Sequence, residues 1–161
     1  MKYLLDANIF ITAKNLHYGF DIVPAFWDWI DRSHADDLVW STTKVRQELI
    51  EGKDELADWA HDRVSLFLAP DSTVIGSMQQ LATWANSALF APTAVSEFFS
   101  VADFELVALA HAQKFTVVTH ERPQPNARKR ILIPDACVAL GVPWIDPYTM
   151  LRACGAEFVL N

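Results

Sequence analysis

The sequence predicts an α/β domain, a three-layer αβα sandwich around a central, mainly parallel sheet. Short strand-like runs at 2–6, 38–40, 64–68, 115–119 and 142–145 alternate with helical patterns along most of the chain. That order is the signature of parallel strands joined by crossover helices. With 161 residues, 52% hydrophobic and 20% charged, the chain has the size and composition of one globular domain, taken as 1–161. A domain of that size buries about 70% of the surface its unfolded chain exposes, enough for one substantial core. No internal repeat, low-complexity segment or interdomain linker interrupts it.

The first apolar run, Lys2-Tyr3-Leu4-Leu5-Asp6, is followed by Asn8, placed to cap a first helix. Val23, Phe26, Trp27 and Ile30 recur at helical spacing and predict a helix over 22–34. After the run at 38–40, residues 41–50 read as a third helix with a hydroxyl cap at Ser41, and 55–63 as a fourth. The run at 64–68 precedes a fifth helix over 72–87, and 88–99 gives no clear pattern. Ser100-Val101-Ala102-Asp103 matches a capping-box variant and opens a helix to about Gln113. Next come the strand Phe115-Thr116-Val117-Val118-Thr119-His120 and the polar segment 122–130, a loop carrying Pro123 and Pro125. Asp135 begins a short helix that Gly141 ends, and Asp146-Pro147 opens the last one.

Several classes are disfavoured. No apolar run approaches the roughly 20 residues that cross a bilayer, and the segment before Asp6 is too short for a signal peptide, so a cytoplasmic protein is expected. Cys137 and Cys154 sit in apolar stretches without paired metal spacing, and no disulfide is expected. There is no Gly-rich phosphate loop and no legible Ser-His-Asp pattern. A net charge of −7 argues against general nucleic-acid binding. The basic charge is clustered, however: Arg122, Arg128, Lys129 and Arg130 follow directly on Glu121.

Four acids stand out. Asp6 and Glu121 lie where strands end, and in open α/β sheets the ligand crevice lies outside the carboxyl ends of the strands. Glu48 and Asp103, on helices, could complete a cavity there. Several carboxylate oxygens suit the hard ions Mg²⁺ and Mn²⁺, which activate a water and stabilise a leaving oxygen in phosphodiester cleavage. Each acid also has a plainer account. Asp6 could cap the first helix, and Asp103 gains from the dipole of its own helix. Glu48 could pair with Lys44 or Arg46, and Glu121 could be a solvated loop acid beside Arg122. Ser41, Thr42 and Thr43 could reach a phosphate, but a helix cap explains them more simply. The tryptophans are assigned to the core by default, with Trp27 on an apolar helix face and Trp40 at a strand end, which leaves Trp29 the candidate for exposure.

The stretch Tyr3-Leu4-Leu5-Asp6-Ala7-Asn8-Ile9-Phe10-Ile11, Glu48 within Val-Arg-Gln-Glu-Leu, and Ala102-Asp103-Phe104-Glu105-Leu106-Val107-Ala108-Leu109-Ala110 together resemble the PIN-domain ribonuclease family. Val118-Thr119-His120-Glu121-Arg122-Pro123 and the segment from Ile133 to Val142 resemble a PIN-like subgroup among prokaryotic toxin–antitoxin toxins. The resemblance implies a Mg²⁺- or Mn²⁺-dependent endoribonuclease with a catalytic quartet of Asp6, Glu48, Asp103 and Glu121. In that reading Asp6, Asp103 and Glu121 hold the metal, and Glu48 completes the shell or orients the attacking water. Asn8 and Thr119 are the polar supports, and Arg122, Arg128, Lys129 and Arg130 hold flanking RNA phosphates. A cognate antitoxin that covers the cleft is implied as well, and a homodimer is left open. One departure is that the fourth acid, usually aspartate, is Glu121 here, preceded by His120; its longer side chain could make coordination water-mediated. His120 contacts substrate, protonates a leaving group or serves as a local hydrogen-bonding residue, and Asp135 is a fifth site acid or a cap. The rival readings are a non-catalytic interaction module and a nuclease acting on structured DNA.

Overall fold

The computed structural model describes residues 1–160. Its strands β1 (Tyr3–Leu5), β2 (Val39–Thr42), β3 (Phe67–Leu68), β4 (Thr116–Val118) and β5 (Trp144–Ile145) form a five-stranded parallel sheet in the order β3-β2-β1-β4-β5. The flanking helices are α1 (Ala7–Thr12), α2 (Pro24–Ala35), α3 (Thr43–Glu51), α4 (Glu55–His61), α5 (Ile75–Ser87), α6 (Pro92–Ser100), α7 (Ala102–Gln113), α8 (Ile133–Leu140) and α9 (Pro147–Ala153). The α/β expectation is the architecture observed.

Burial explains why the middle strands carry apolar runs rather than an alternating pattern. Tyr3, Leu4 and Leu5 of β1 and Thr116, Val117 and Val118 of β4 are all buried, as parallel strands covered on both faces require. Helix α7 is the most enclosed: Leu106, Val107, Ala108, Leu109 and Ala110 are at most 1% exposed, and it packs against α3, α5, α6, α8, β2 and β4. An aromatic group fills the other side, where Trp27 stacks on Phe20 at 4.1 Å and meets Trp59 edge-on at 5.0 Å. Trp29 also joins it, half-buried and stacked on Phe26, so its expected exposure is corrected.

The structure corrects several element boundaries. Ser41 is not a helix cap but part of β2, because its hydroxyl donates to the Leu5 carbonyl at 2.7 Å and ties it to the neighbouring strand. The cap of α3 is Thr42, which accepts the Val45 amide. Ser100 ends α6 and donates to the Glu97 carbonyl, so no capping box opens α7; Val101 stands at its N-cap position. Asn8 lies inside α1, one residue past its start, and caps nothing. Residues 64–66 form a 3₁₀ turn, leaving Phe67–Leu68 as the strand, and the unassigned stretch 88–99 contains most of α6, whose start is set by Pro92. Gly141 ends α8 at φ +70, the left-handed conformation glycine adopts without a Cβ penalty. Asp146 caps α9 through the Thr149 amide, as its sequence predicts.

Candidate functional site

The register of the sheet builds the site. Leu5 of β1 lies beside Val118 of β4, so the next residues on the two strands, Asp6 and Thr119, meet at the carboxyl edge. The Asp6 amide donates to the Val118 carbonyl at 3.0 Å, and the Thr119 hydroxyl donates to Asp6 Oδ2 at 3.2 Å. Thr119 in turn accepts the Glu121 amide at 3.1 Å, which turns the chain so that Glu121 faces the same way as Asp6. Helix α3 leaves β2 at this edge and presents Lys44, Gln47, Glu48 and Glu51, residues at i, i+3, i+4 and i+7, to the cleft. Asp103, in the first turn of α7, closes the far side.

The result is a cleft of about 460 Å³ lined by all four predicted acids, Asp6, Glu48, Asp103 and Glu121, together with Asn8, Lys44 and Arg130. Sequence reading missed Glu51 and Glu97, which also line it. Glu51 was legible from its helical spacing to Glu48, whereas Glu97 lies on α6, where no element could be assigned.

Crowding of like charge governs the electrostatics. Asp6 is 3% exposed, and burial, then the carboxylates of Asp103 and Glu121, raise its pKa well above 3.8 against the lowering effect of the Thr119 hydroxyl and the Ala7 amide. Asp103 is raised to about 7 by burial first and by Glu121 and Glu48 next, with Arg130 opposing. Burial and neighbouring Glu51 raise Glu48 as well. The plain accounts of Asp6 and Glu48 fare poorly, whereas Asp103 does stand in the first turn of α7 as its helix-dipole account requires: Asp6 makes no side-chain cap bond to α1. Arg46 donates to the Ala60 and His61 carbonyls, and the ion pair of Lys44 is with Glu105 rather than Glu48.

Glu121 differs from the others because it does structural work. One carboxylate oxygen accepts the Ile133 amide at the start of α8, at 3.2 Å, and the other faces Arg130 Nη2 at 3.8 Å. Among the described residues, no three histidine, cysteine or carboxylate side chains stand close enough to hold an ion as they are. The donor set still fits a hard ion: it is all oxygen, and Mg²⁺ is commonly held by one or two carboxylates with the remainder supplied by water and substrate phosphate.

The remaining candidates separate clearly. Of the four basic residues, only Arg130 lines the cleft. Arg128 is folded onto its own loop, donating to the Pro125 and Ala127 carbonyls and lying over the Phe90 ring at 5.7 Å. Arg122 and Lys129 are exposed outside the lining. His120 packs against the rings of His17 and Tyr148, with centroids 6.4 and 6.2 Å away, on a side of the strand end that does not line the cleft. Asp135 accepts the Gln124 amide and holds the loop, outside the cleft. Thr42 is committed to its cap, and buried Cys137, its thiol pushed up to about 12 by burial, is a packing residue.

Residues 3–158 match the sequence profile of a family described as Domain of unknown function (DUF4411). The chain belongs to that family. No curated protein matches this DUF4411 chain. Among solved structures it is similar to a chain of VapBC2 from Rickettsia felis, a complex determined bound to a DNA fragment from its promoter. The TM-score is 0.56 at 15% identity, over 91% of this chain and 98% of that one. That likeness is one of fold, and with the all-parallel sheet it makes this DUF4411 domain PIN-like in architecture. Among the described residues no helix is long and apolar enough to cross a membrane.

Proposed function

We propose that this DUF4411 protein is a metal-dependent endoribonuclease, the toxin of a toxin–antitoxin pair, working in the cytoplasm. The observation that carries the reading is the convergence of carboxylates from four separate segments on one cleft at the carboxyl edge of the sheet, with Asp6 buried and Asp103 half-buried at a cost. Asp6 and Asp103 would hold Mg²⁺ or Mn²⁺, with Glu121 joining directly or through water once it yields the α8 amide. Such an ion supplies a water nucleophile at neutral pH and charge stabilisation at the leaving oxygen. Glu48, on the rim, would orient that water and accept its proton. Thr119 fixes the Asp6 carboxylate through its hydroxyl, and Asn8 supplies a neutral polar group to the same wall. Arg130, the basic-loop residue that lines the cleft, would meet an RNA phosphate, with Arg122, Arg128 and Lys129 adding positive charge outside it.

The PIN-like fold and the likeness to a chain of a VapBC2 complex support a cognate antitoxin as partner. One observation favours the non-catalytic rival: both oxygens of Glu121 already have partners. Incubation of purified wild type and Asp6→Asn with single-stranded RNA and with structured DNA, in Mn²⁺, Mg²⁺ or EDTA, separates the readings. Cleavage of RNA by wild type alone, abolished by EDTA, is expected. Metal-dependent cleavage confined to DNA would move the substrate, and no cleavage of either would favour the interaction module.

A further inference from the structure

Two cationic side chains line the cleft, Arg130 from the basic loop and Lys44 from the first turn of α3. The partner that helix spacing offers Lys44 is Glu48, four residues on and close to the site. Lys44 Nζ lies instead 4.0 Å from Oε2 of Glu105, on α7, in the seam between the two helices. The Glu105 side chain is only 6% exposed while that of Lys44 is 40% exposed, so the carboxylate sits behind the lysine and the lysine faces the cleft.

Glu105 has no evident reason to be there for stability. Its Oε1 is buried without any hydrogen-bond donor, and its other oxygen has only the long approach of Lys44. A buried carboxylate so poorly satisfied is costly, and a buried ion pair is commonly no more stable than apolar side chains of similar volume. The neighbours Leu106, Val107 and Leu109, all fully buried, are what packing favours on this helix. What Glu105 does provide is a second anion that draws the ammonium toward the α3–α7 seam. Without it, Lys44 would settle on Glu48 or Asp103 and neutralise the groups that the proposed reaction needs.

Resting on the nuclease reading above, we infer that Lys44 is a substrate-binding residue that takes a backbone phosphate of single-stranded RNA next to the scissile bond, and that Glu105 is the positioning residue that holds it there. A compact ammonium with three donors suits a phosphate oxygen whose exact direction varies from one substrate to another. Lys44 on α3 and Arg130 on the loop then give the acidic cleft a cation on either wall, so a strand is held on both sides of the carboxylates.

The test uses the full-length protein and a short fluorescein-labelled single-stranded RNA, with binding followed by anisotropy across a salt series in Ca²⁺ and melting followed in parallel. Lys44→Met is expected to weaken binding roughly tenfold, the loss of one hydrogen bond to a charged group, and to flatten the salt slope by about 0.7 log units. Glu105→Gln should weaken binding to a similar degree, should not melt below wild type, and should add little to Lys44→Met in the double variant. Lys44→Arg should restore most of the affinity. An unmoved salt slope in Lys44→Met overturns the role of Lys44. A sharply lowered melting temperature in both Glu105→Gln and Glu105→Leu, or a Glu105→Gln effect that adds in full to that of Lys44→Met, overturns the role of Glu105. Wild-type protein that neither binds nor cleaves RNA overturns the nuclease reading and this inference with it, whereas wild type that cleaves RNA beside an unaffected Lys44→Met overturns this inference alone.

Discussion

Replacing Asp103 with asparagine should stabilise the metal-free protein at neutral pH. The carboxyl of Asp103, ordinarily near 3.8, is held at about 7 in the fold by burial and by the neighbouring Glu121 and Glu48 carboxylates. A group whose folded pKa lies above its unfolded value contributes its full stability below the unfolded pKa and loses it as pH rises through the folded one. The loss therefore develops between about pH 4 and about pH 7. At 1.36 kcal/mol per pH unit, the interval corresponds to on the order of 4 kcal/mol. That is a large fraction of the roughly 5–15 kcal/mol that keeps a domain folded. For a chain of this length it amounts to roughly 10 °C in melting temperature. The assay is thermal unfolding by circular dichroism in EDTA from pH 4.5 to 8, wild type against Asp103→Asn. Wild type should lose stability with rising pH more steeply than the variant, with the two curves separating towards pH 8. Added Mn²⁺ should restore wild type at pH 8 and do less for the variant. Parallel curves for the two proteins would refute the reasoning, because they would mean that Asp103 ionises in the fold as freely as in water.

Three further outcomes follow from the same geometry. Asp6→Asn should abolish metal-dependent RNA cleavage while leaving the circular dichroism spectrum unchanged, and its metal-free melting temperature should equal or exceed that of wild type. Thr119→Val, which removes the hydroxyl that donates to Asp6, should weaken Mn²⁺ binding roughly tenfold, the scale of one hydrogen bond to a charged group, as read by calorimetry. Among single alanine substitutions in the basic loop, Arg130→Ala should flatten the salt dependence of RNA binding most, by about 0.7 log units, because Arg128 is tied to its own loop and to Phe90.

The site was legible where a charged residue interrupts an apolar pattern. Asp6 follows three buried strand residues, and Asp103 and Glu121 border buried runs at the start of α7 and the end of β4. Parallel strands bring such positions to a common edge, so the convergence could be anticipated without knowing the strand order. What could not be read depends on contacts between segments far apart in sequence. Ser41 belongs to a strand only because its hydroxyl meets the Leu5 carbonyl, and the capping pattern at Ser100 is defeated because that residue finishes the preceding helix. The Lys44–Glu105 pair spans α3 and α7, and nothing in either helix alone indicates it. The basic loop was legible as a charge cluster, but its division into one cleft residue and three others depends on how Phe90 and the Ala91 amide pin Arg128.

The four acids are not equivalent in what the fold asks of them, and the difference bears on function. Helices α3, α4 and α9 are each capped by a side chain chosen for the purpose, Thr42, Asp54 and Asp146. Asp6 stands at the N-cap position of α1 yet makes no cap bond, α7 opens at Val101 with no side-chain cap, and Glu48 lies well inside α3. Local structure would therefore lose little if Asp6, Glu48 and Asp103 were neutral, and the metal-free protein would gain, since all three have raised pKa values. Only Glu121 repays its charge locally, by accepting the Ile133 amide at the start of α8. A divalent cation in the cleft would reverse the sign of the repulsion among the first three and compete with α8 for the fourth. In the proposed reading a cation would offset the repulsion that raises Asp6, Glu48 and Asp103, and Glu121 alone would have to give up a local partner, the Ile133 amide, to join it.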